Sequence, residues 1–237
     1  MSGQNIILNA GSGAGFTAYL AAPDSQPQTA RASAVLVLQE IFGVNAFVRG
    51  VCDRFADAGF IAIAPDLFWR QELGVQLSEE QFDQAMRLMQ RLDQDQAIDD
   101  CSNAIEYISA LPDFSGQIGV VGYCMGGKLA YLMAARGKVD AAVSYYGVGI
   151  QDALGEAKSL TAPLLLHIAA EDVLCPPPAR ASIYAALENV AGVRIDTHPG
   201  VGHAFARRGG STYVPQAAER ADATTLAFLR QQLRHRT

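Results

Sequence analysis

Ile118-Gly119-Val120-Val121-Gly122-Tyr123-Cys124-Met125-Gly126-Gly127-Lys128-Leu129-Ala130 decides the architecture. Residues 118–123 form a short apolar run that reads as a buried strand, and residues 126–135 follow helical spacing. At the junction, Gly122-Tyr123-Cys124-Met125-Gly126 matches the nucleophile-elbow pattern, with cysteine where serine usually stands. The flanking glycines answer a steric need, since side chains in so tight a turn would strike the neighbouring strand and helix. The turn lifts Cys124 to the amino end of a helix, where the helix dipole favours a thiolate over a thiol whose free pKa is about 8.5. The same stretch fits the phosphate-binding form G-x-x-x-x-G-K as far as Lys128, but Leu129 brings no hydroxyl for magnesium, so a nucleotide site is not expected.

Working outward, the elbow sits within alternating strands and helices. Ile6 to Leu8, a glycine-rich turn at Gly11 to Gly15, and Phe16 to Ala21 read as an antiparallel hairpin. After a surface loop over Pro23 to Thr29 come a strand at Ala34 to Leu38 and a helix carrying Phe47, Val48, Val51, Cys52 and Phe55. Gly59 stops that helix before a strand at Ile61 to Ala64. Ser78-Glu79-Glu80-Gln81 has capping-box form and predicts a helix to about Leu92, and Ile98, Cys101, Ile105 and Ile108 mark a second one. Beyond the elbow, strands are expected at Ala141 to Tyr145, Leu164 to Ile168 and Val193 to Thr197. Helices are expected from about Ala179 to Glu188 and Gln216 to Leu233. This is an α/β fold, a mainly parallel sheet flanked by helices on both faces with an N-terminal antiparallel hairpin, in one domain over residues 1–237. Ligands of such sheets bind beyond the carboxyl ends of the strands.

Composition narrows the function classes. Of 237 residues, half are apolar and 18% charged, enough for a core that needs no disulfide or structural metal. A net charge of -6 without a basic stripe argues against nucleic acid. The opening MSGQNIILNA has no basic segment leading into an apolar run, and no stretch reaches the roughly 20 apolar residues of a membrane span. A soluble, unexported protein is expected. Cys52, Cys101, Cys124 and Cys175 follow no metal-pair spacing, and Cys52 and Cys101 fall on apolar helical stripes. His198 and His203 lack a matching cysteine pair, so no metal is expected.

A nucleophilic thiol needs a base to govern its proton and an acid to orient that base. Glu171 and Asp172 follow the strand at Leu164 to Ile168, and His203 ends the loop Gly200-Val201-Gly202-His203. The order nucleophile, acid, histidine is that of the α/β-hydrolases. Asp172 is preferred as the acid because a short side chain suits a rigid loop, with Glu171 its alternative. His167, inside a strand, is a poor candidate, and His198 reads as an ordinary loop residue. Glu40 follows the strand at Ala34 to Leu38; if it faces the cysteine, it could hold or receive the thiol proton. The backbone amides of Ile41 and Met125 are the candidate oxyanion donors.

Together with Gln39-Glu40-Ile41-Phe42-Gly43, Ala64-Pro65-Asp66-Leu67, Tyr145-Tyr146-Gly147 and Gly202-His203-Ala204-Phe205, the elbow resembles the dienelactone hydrolase (carboxymethylenebutenolidase) family across nearly the whole chain. The resemblance implies an α/β-hydrolase fold and a Cys124, Asp172, His203 triad that opens a lactone. It also implies contact between Glu40 and the resting thiol. A monomeric, cytoplasmic enzyme without a cofactor follows, one that degrades chlorinated aromatic compounds through dienelactone, a small molecule. Family members hold the substrate carboxylate with two arginines. Arg207 matches one, and Tyr146 and Phe42 join it as substrate-binding candidates. Where the other should stand, the chain reads Glu79-Glu80-Gln81-Phe82-Asp83. Either Arg70 or Arg87 substitutes, or the enzyme takes a different ester or thioester. The rival from another class is a noncatalytic sensor in which Cys124 is reversibly oxidised.

Overall fold

The computed structural model describes residues 3–10, 13–23 and 31–233, so parts of the expected turn at 11–15 and loop at 23–29 lie outside the described residues. The chain clusters into two compact units, one ending at Ile118 and one beginning at Gly119.

In the first unit, β1 (Gln4–Asn9) and β2 (Gly15–Ala21) form the antiparallel hairpin, in register from Gln4 opposite Leu20 to Asn9 opposite Gly15. The strand β3 (Ala32–Leu38), the helix α1 (Ala46–Asp57) and the strand β4 (Ile61–Pro65) make a parallel crossover with Ala34 opposite Ile61. β4 also pairs antiparallel with β2, giving the order β1-β2-β4-β3. The helix α1 starts where the Asn45 side chain accepts the Val48 N–H at 3.3 Å. It stops just before Gly59, whose φ of 96° is open to glycine alone at little cost. Its Phe47, Val48, Val51, Cys52 and Phe55 are buried, the stripe read from the sequence. The segment after Ser78 differs from expectation in detail. Residues 79–81 wind as a 3-10 turn before α2 (Phe82–Gln90), a common way to tighten a helix start. The helix α3 (Gln94–Ser109) follows, capped by Asp93.

In the second unit the strand β5 (Phe114–Tyr123), entered from the first, pairs in parallel with β6 (Ala141–Tyr145), then β7 (Leu164–Ala169), then β8 (Val193–His198). Tyr123, Tyr145, His167 and Asp196 are successive register partners, so the carboxyl ends of four strands lie level. The helices are α4 (Met125–Ala135), α5 (Pro177–Leu187) and α6 (Pro215–Gln232). Ser144 lies against Gly127 of α4, whereas its neighbour Tyr145 reaches α6, so those two helices cover opposite faces of the strands. Among the described residues no helix is long and apolar enough to cross a membrane. The 3-10 stretch over Ile150–Ser159 is an element that the sequence reading does not name; Ile150 is its one buried residue.

Candidate active site

The elbow forms at the end of β5. Cys124 has φ 55° and ψ −117°, and its carbonyl accepts the first helical N–H of α4, from Gly127 at 3.0 Å. Such a conformation costs a non-glycine residue on the order of 1–3 kcal/mol and persists only when its surroundings over-determine it. Two clamps do so: the Cys124 N–H donates to the Tyr145 carbonyl at 3.0 Å, and the Val148 N–H donates to the Cys124 carbonyl at 3.2 Å. The glycines are required by contact. A Cβ on Gly122 would stand 1.9 Å from the Gly126 carbonyl oxygen, and one on Gly127 would stand 2.8 Å from both the Gly147 Cα and the Ser144 Oγ. Gly122→Ala must therefore push α4 off the strand. In urea titrations it is expected to cost about 3 kcal/mol or more of stability. Parent-like unfolding with full activity would show that the elbow does not need this close approach.

Asp172 and His203 leave the ends of neighbouring strands, β7 and β8, and meet. The His203 Nδ1–H donates to Asp172 Oδ2 at 2.8 Å, while Asp172 Oδ1 accepts the Leu174 N–H at 2.8 Å. Asp172 is 3% exposed and is the carboxylate bonded to His203, whereas Glu171 is exposed to solvent. The His203 ring also hydrogen-bonds to the Cys124 side chain. Burial alone would pull the His203 pKa down, but the bonds to Asp172 and Cys124 outweigh it and push the value up to about 10. These surroundings, a carboxylate on one side and a sulfur on the other, favour the imidazolium form of His203. The Tyr146 ring lies edge-on to it, 5.1 Å between centroids. Tyr146 and Ala204 are the other non-glycine residues with positive φ among the described ones, at 39° and 61°. All three thus stand in or beside this constellation.

A dienelactone hydrolase family model matches residues 16–233. The chain belongs to that family. A protein of Azospirillum brasilense is 42% identical over 97% of this chain and 99% of its own, and the carboxymethylenebutenolidase of Pseudomonas putida is 37% identical over 95% of each. A crystal structure from Klebsiella pneumoniae, 26% identical, superposes with a TM-score of 0.84 over 97% of this chain and 98% of that one. The fold is that of the α/β-hydrolases, and the enzyme is a carboxylic-ester hydrolase of the dienelactone hydrolase type.

The remaining candidates of this dienelactone hydrolase family member divide between the two units. Glu40, Ile41 and Phe42 lie buried just past β3 in the first. In the second, Met125 opens α4, and Arg207 follows the turn in which its N–H donates to the Ala204 carbonyl at 2.9 Å. Arg70 is ion-paired with the buried Asp100 and stacked over Trp69 at 4.3 Å, and Arg87 is exposed on α2. Among the described residues no group of three or more His, Cys, Asp or Glu side chains is arranged to hold a metal ion. What sequence reasoning missed lies beneath the site. His167 and His198 are not isolated but bonded to each other, Nδ1 to Nε2, at 3.0 Å.

Proposed function

We propose that this enzyme opens a lactone or ester of the dienelactone class by nucleophilic attack of Cys124 and passes through an acyl-enzyme. The observation that carries the reading is the unbroken contact from Cys124 through His203 to the buried Asp172. The Cys124 thiolate attacks the carbonyl carbon, and the carbonyl π electrons move to oxygen, where the amide of Met125 at the start of α4 receives the charge. Collapse breaks the ring C–O bond, the leaving oxygen takes the proton of the His203 imidazolium, and a thioester remains. The now neutral His203 takes a proton from water; the hydroxide adds to the thioester, the C–S bond breaks, and sulfur leaves as the thiolate beside a renewed imidazolium. Asp172 holds the ring with Nε2 toward the chemistry throughout. Arg207 and Tyr146 bind the substrate, with Arg207 on its carboxylate. Residues 1–237 act as one domain and as a cytoplasmic monomer, a setting consistent with four free cysteines.

One observation favours a neutral ester instead. Arg70 is committed to Asp100, and acidic residues Glu79, Glu80 and Asp83 open the helical segment where a second arginine would stand. Rapid-quench mass spectrometry and a substrate panel test both readings. The expected result is a transient acyl adduct on Cys124, with a selective loss of catalytic efficiency on the anionic lactone, relative to neutral lactones, in Arg207→Ala. Turnover with no adduct under single-turnover conditions would remove the acyl-enzyme, and equal losses on anionic and neutral substrates would remove carboxylate recognition.

A further inference from the structure

Under the strand ends of the second unit runs a continuous line of hydrogen bonds, buried in its middle and reaching the surface at both ends, with no role in the proposed chemistry. Arg220 Nη2 lies 3.1 Å from His198 Nδ1, His198 Nε2 lies 3.0 Å from His167 Nδ1, and His167 Nε2 lies 2.9 Å from Thr225 Oγ1. Thr225 Oγ1 is 2.7 Å from the Tyr145 hydroxyl, which donates to Asp222 Oδ1 at 3.1 Å, and Arg208 closes the line on Asp222 Oδ2 at 3.1 Å.

The ends fix every proton between them. Arginine can only donate, so His198 Nδ1 accepts and its one proton sits on Nε2. That proton makes His167 Nδ1 an acceptor, so His167 donates from Nε2 to Thr225. Thr225 then has its own proton for Tyr145, whose proton goes to the Asp222 carboxylate, an obligate acceptor. Both histidines must be neutral for this order to hold, and burial lowers the pKa of each.

Each strained or reacting part of the site hangs from a member of this line. Tyr145 accepts the Cys124 N–H through its carbonyl. The His167 carbonyl accepts the N–H of Tyr146 at 2.8 Å. The His198 carbonyl accepts the N–H of Ala170 at 3.0 Å, at the head of the loop that carries Asp172. The Phe205 ring, next to the strained Ala204, lies 4.7 Å from the His198 ring and 5.5 Å from that of Tyr146.

We propose that this one-directional line of hydrogen bonds, with Thr225 as its middle link between α6 and three strands, is the positioning device that sets Cys124, Asp172 and His203 against one another. The proposal rests on the nucleophile reading above and adds to it residues that touch no reacting atom. A buried Thr225→Val keeps the shape but leaves His167 without an acceptor and Tyr145 without a donor. Thr225→Ser keeps both bonds.

The test compares these variants with the parent well below their melting temperatures. Expected for Thr225→Val is a loss in kcat on the order of 10- to 100-fold, as for a reacting group displaced by a fraction of an ångström to one ångström. KM should stay within about twofold and the rate of Cys124 alkylation by iodoacetamide should shift as well, with Thr225→Ser close to the parent in all three. Tyr145→Phe, which removes the line's outlet to Asp222 and keeps the ring, repeats the comparison if Thr225→Val does not fold. A variant that melts lower but keeps the parental kcat and alkylation rate, or a serine variant as impaired as the valine, would overturn the proposal. Alkylation reports on Cys124 directly, so failure of the positioning role is told apart from failure of the nucleophile role, which Cys124→Ala turnover decides.

Discussion

Cys124→Ala is expected to lower turnover of an activated aryl ester by about 10⁵-fold or more, the scale on which hydrolases lose activity with their nucleophile. The melting temperature should change little, because the elbow is held by backbone bonds and by glycine contacts that do not involve the sulfur. The other thiols cannot stand in. Cys52 and Cys101 are fully buried, and burial pushes both far toward the neutral form; Cys175 is pushed the same way by burial and then by Asp172. One equivalent of iodoacetamide should accordingly label Cys124, beside the His203 cation, and silence the enzyme in step with the label. Hydrolysis that survives Cys124→Ala within about tenfold of the parent would move the nucleophile elsewhere.

Asp172→Asn should be nearly as damaging, with kcat falling by roughly 10³- to 10⁴-fold, the effect of the equivalent change in a serine triad. The reason here is specific. The Leu174 N–H needs an acceptor at the Oδ1 position, so an asparagine must put its carbonyl there and turn its NH2 group toward His203 Nδ1. That donor forces Nδ1 to accept, moves the ring proton to Nε2 in the neutral imidazole, and leaves no base facing Cys124. Stability carries a second signature. In the folded enzyme His203 holds its proton up to about pH 10, against about 6.5 for an unfolded histidine, so its interactions stabilise the fold in full below pH 6.5 and are lost as the pH rises through 10. Between those limits the parent should lose melting temperature more steeply than Asp172→Asn. Parallel slopes, or an asparagine variant within tenfold of parental kcat, would show that the carboxylate does not orient the ring.

Much of this was legible in the chain because apolar runs, glycine stops and the elbow motif are local signals. Strand β5 from Ile118, the buried stripe of α1 and strand β2 follow closely from such signals, whereas β1 runs from Gln4 to Asn9, beyond the expected Ile6 to Leu8. The first half of β5, Phe114-Ser115-Gly116-Gln117, was not legible, since it lacks the apolar density that announces a buried strand. Nor does a motif distinguish Glu171 from Asp172. That choice is made by one amide, Leu174, which turns a carboxylate inward. The pairing of His167 with His198 depends on register. His167 stands opposite Asp196, which brings His198 onto the same face one step along, and nothing in either strand alone fixes that alignment. Thr225 and Asp222 are further out of reach, being polar residues on a helix whose partners lie some 60 to 80 positions earlier in the chain.

The turn at residue 124 has a wider meaning for how such enzymes diversify. Its shape is dictated from outside, by a neighbouring strand's carbonyl and by two positions that tolerate no side chain, so the scaffold is indifferent to which atom tips the residue it displays. Sulfur and oxygen are therefore exchangeable there as fittings on a common mount, and a lineage can pass from thiol to alcohol chemistry with its framework left standing.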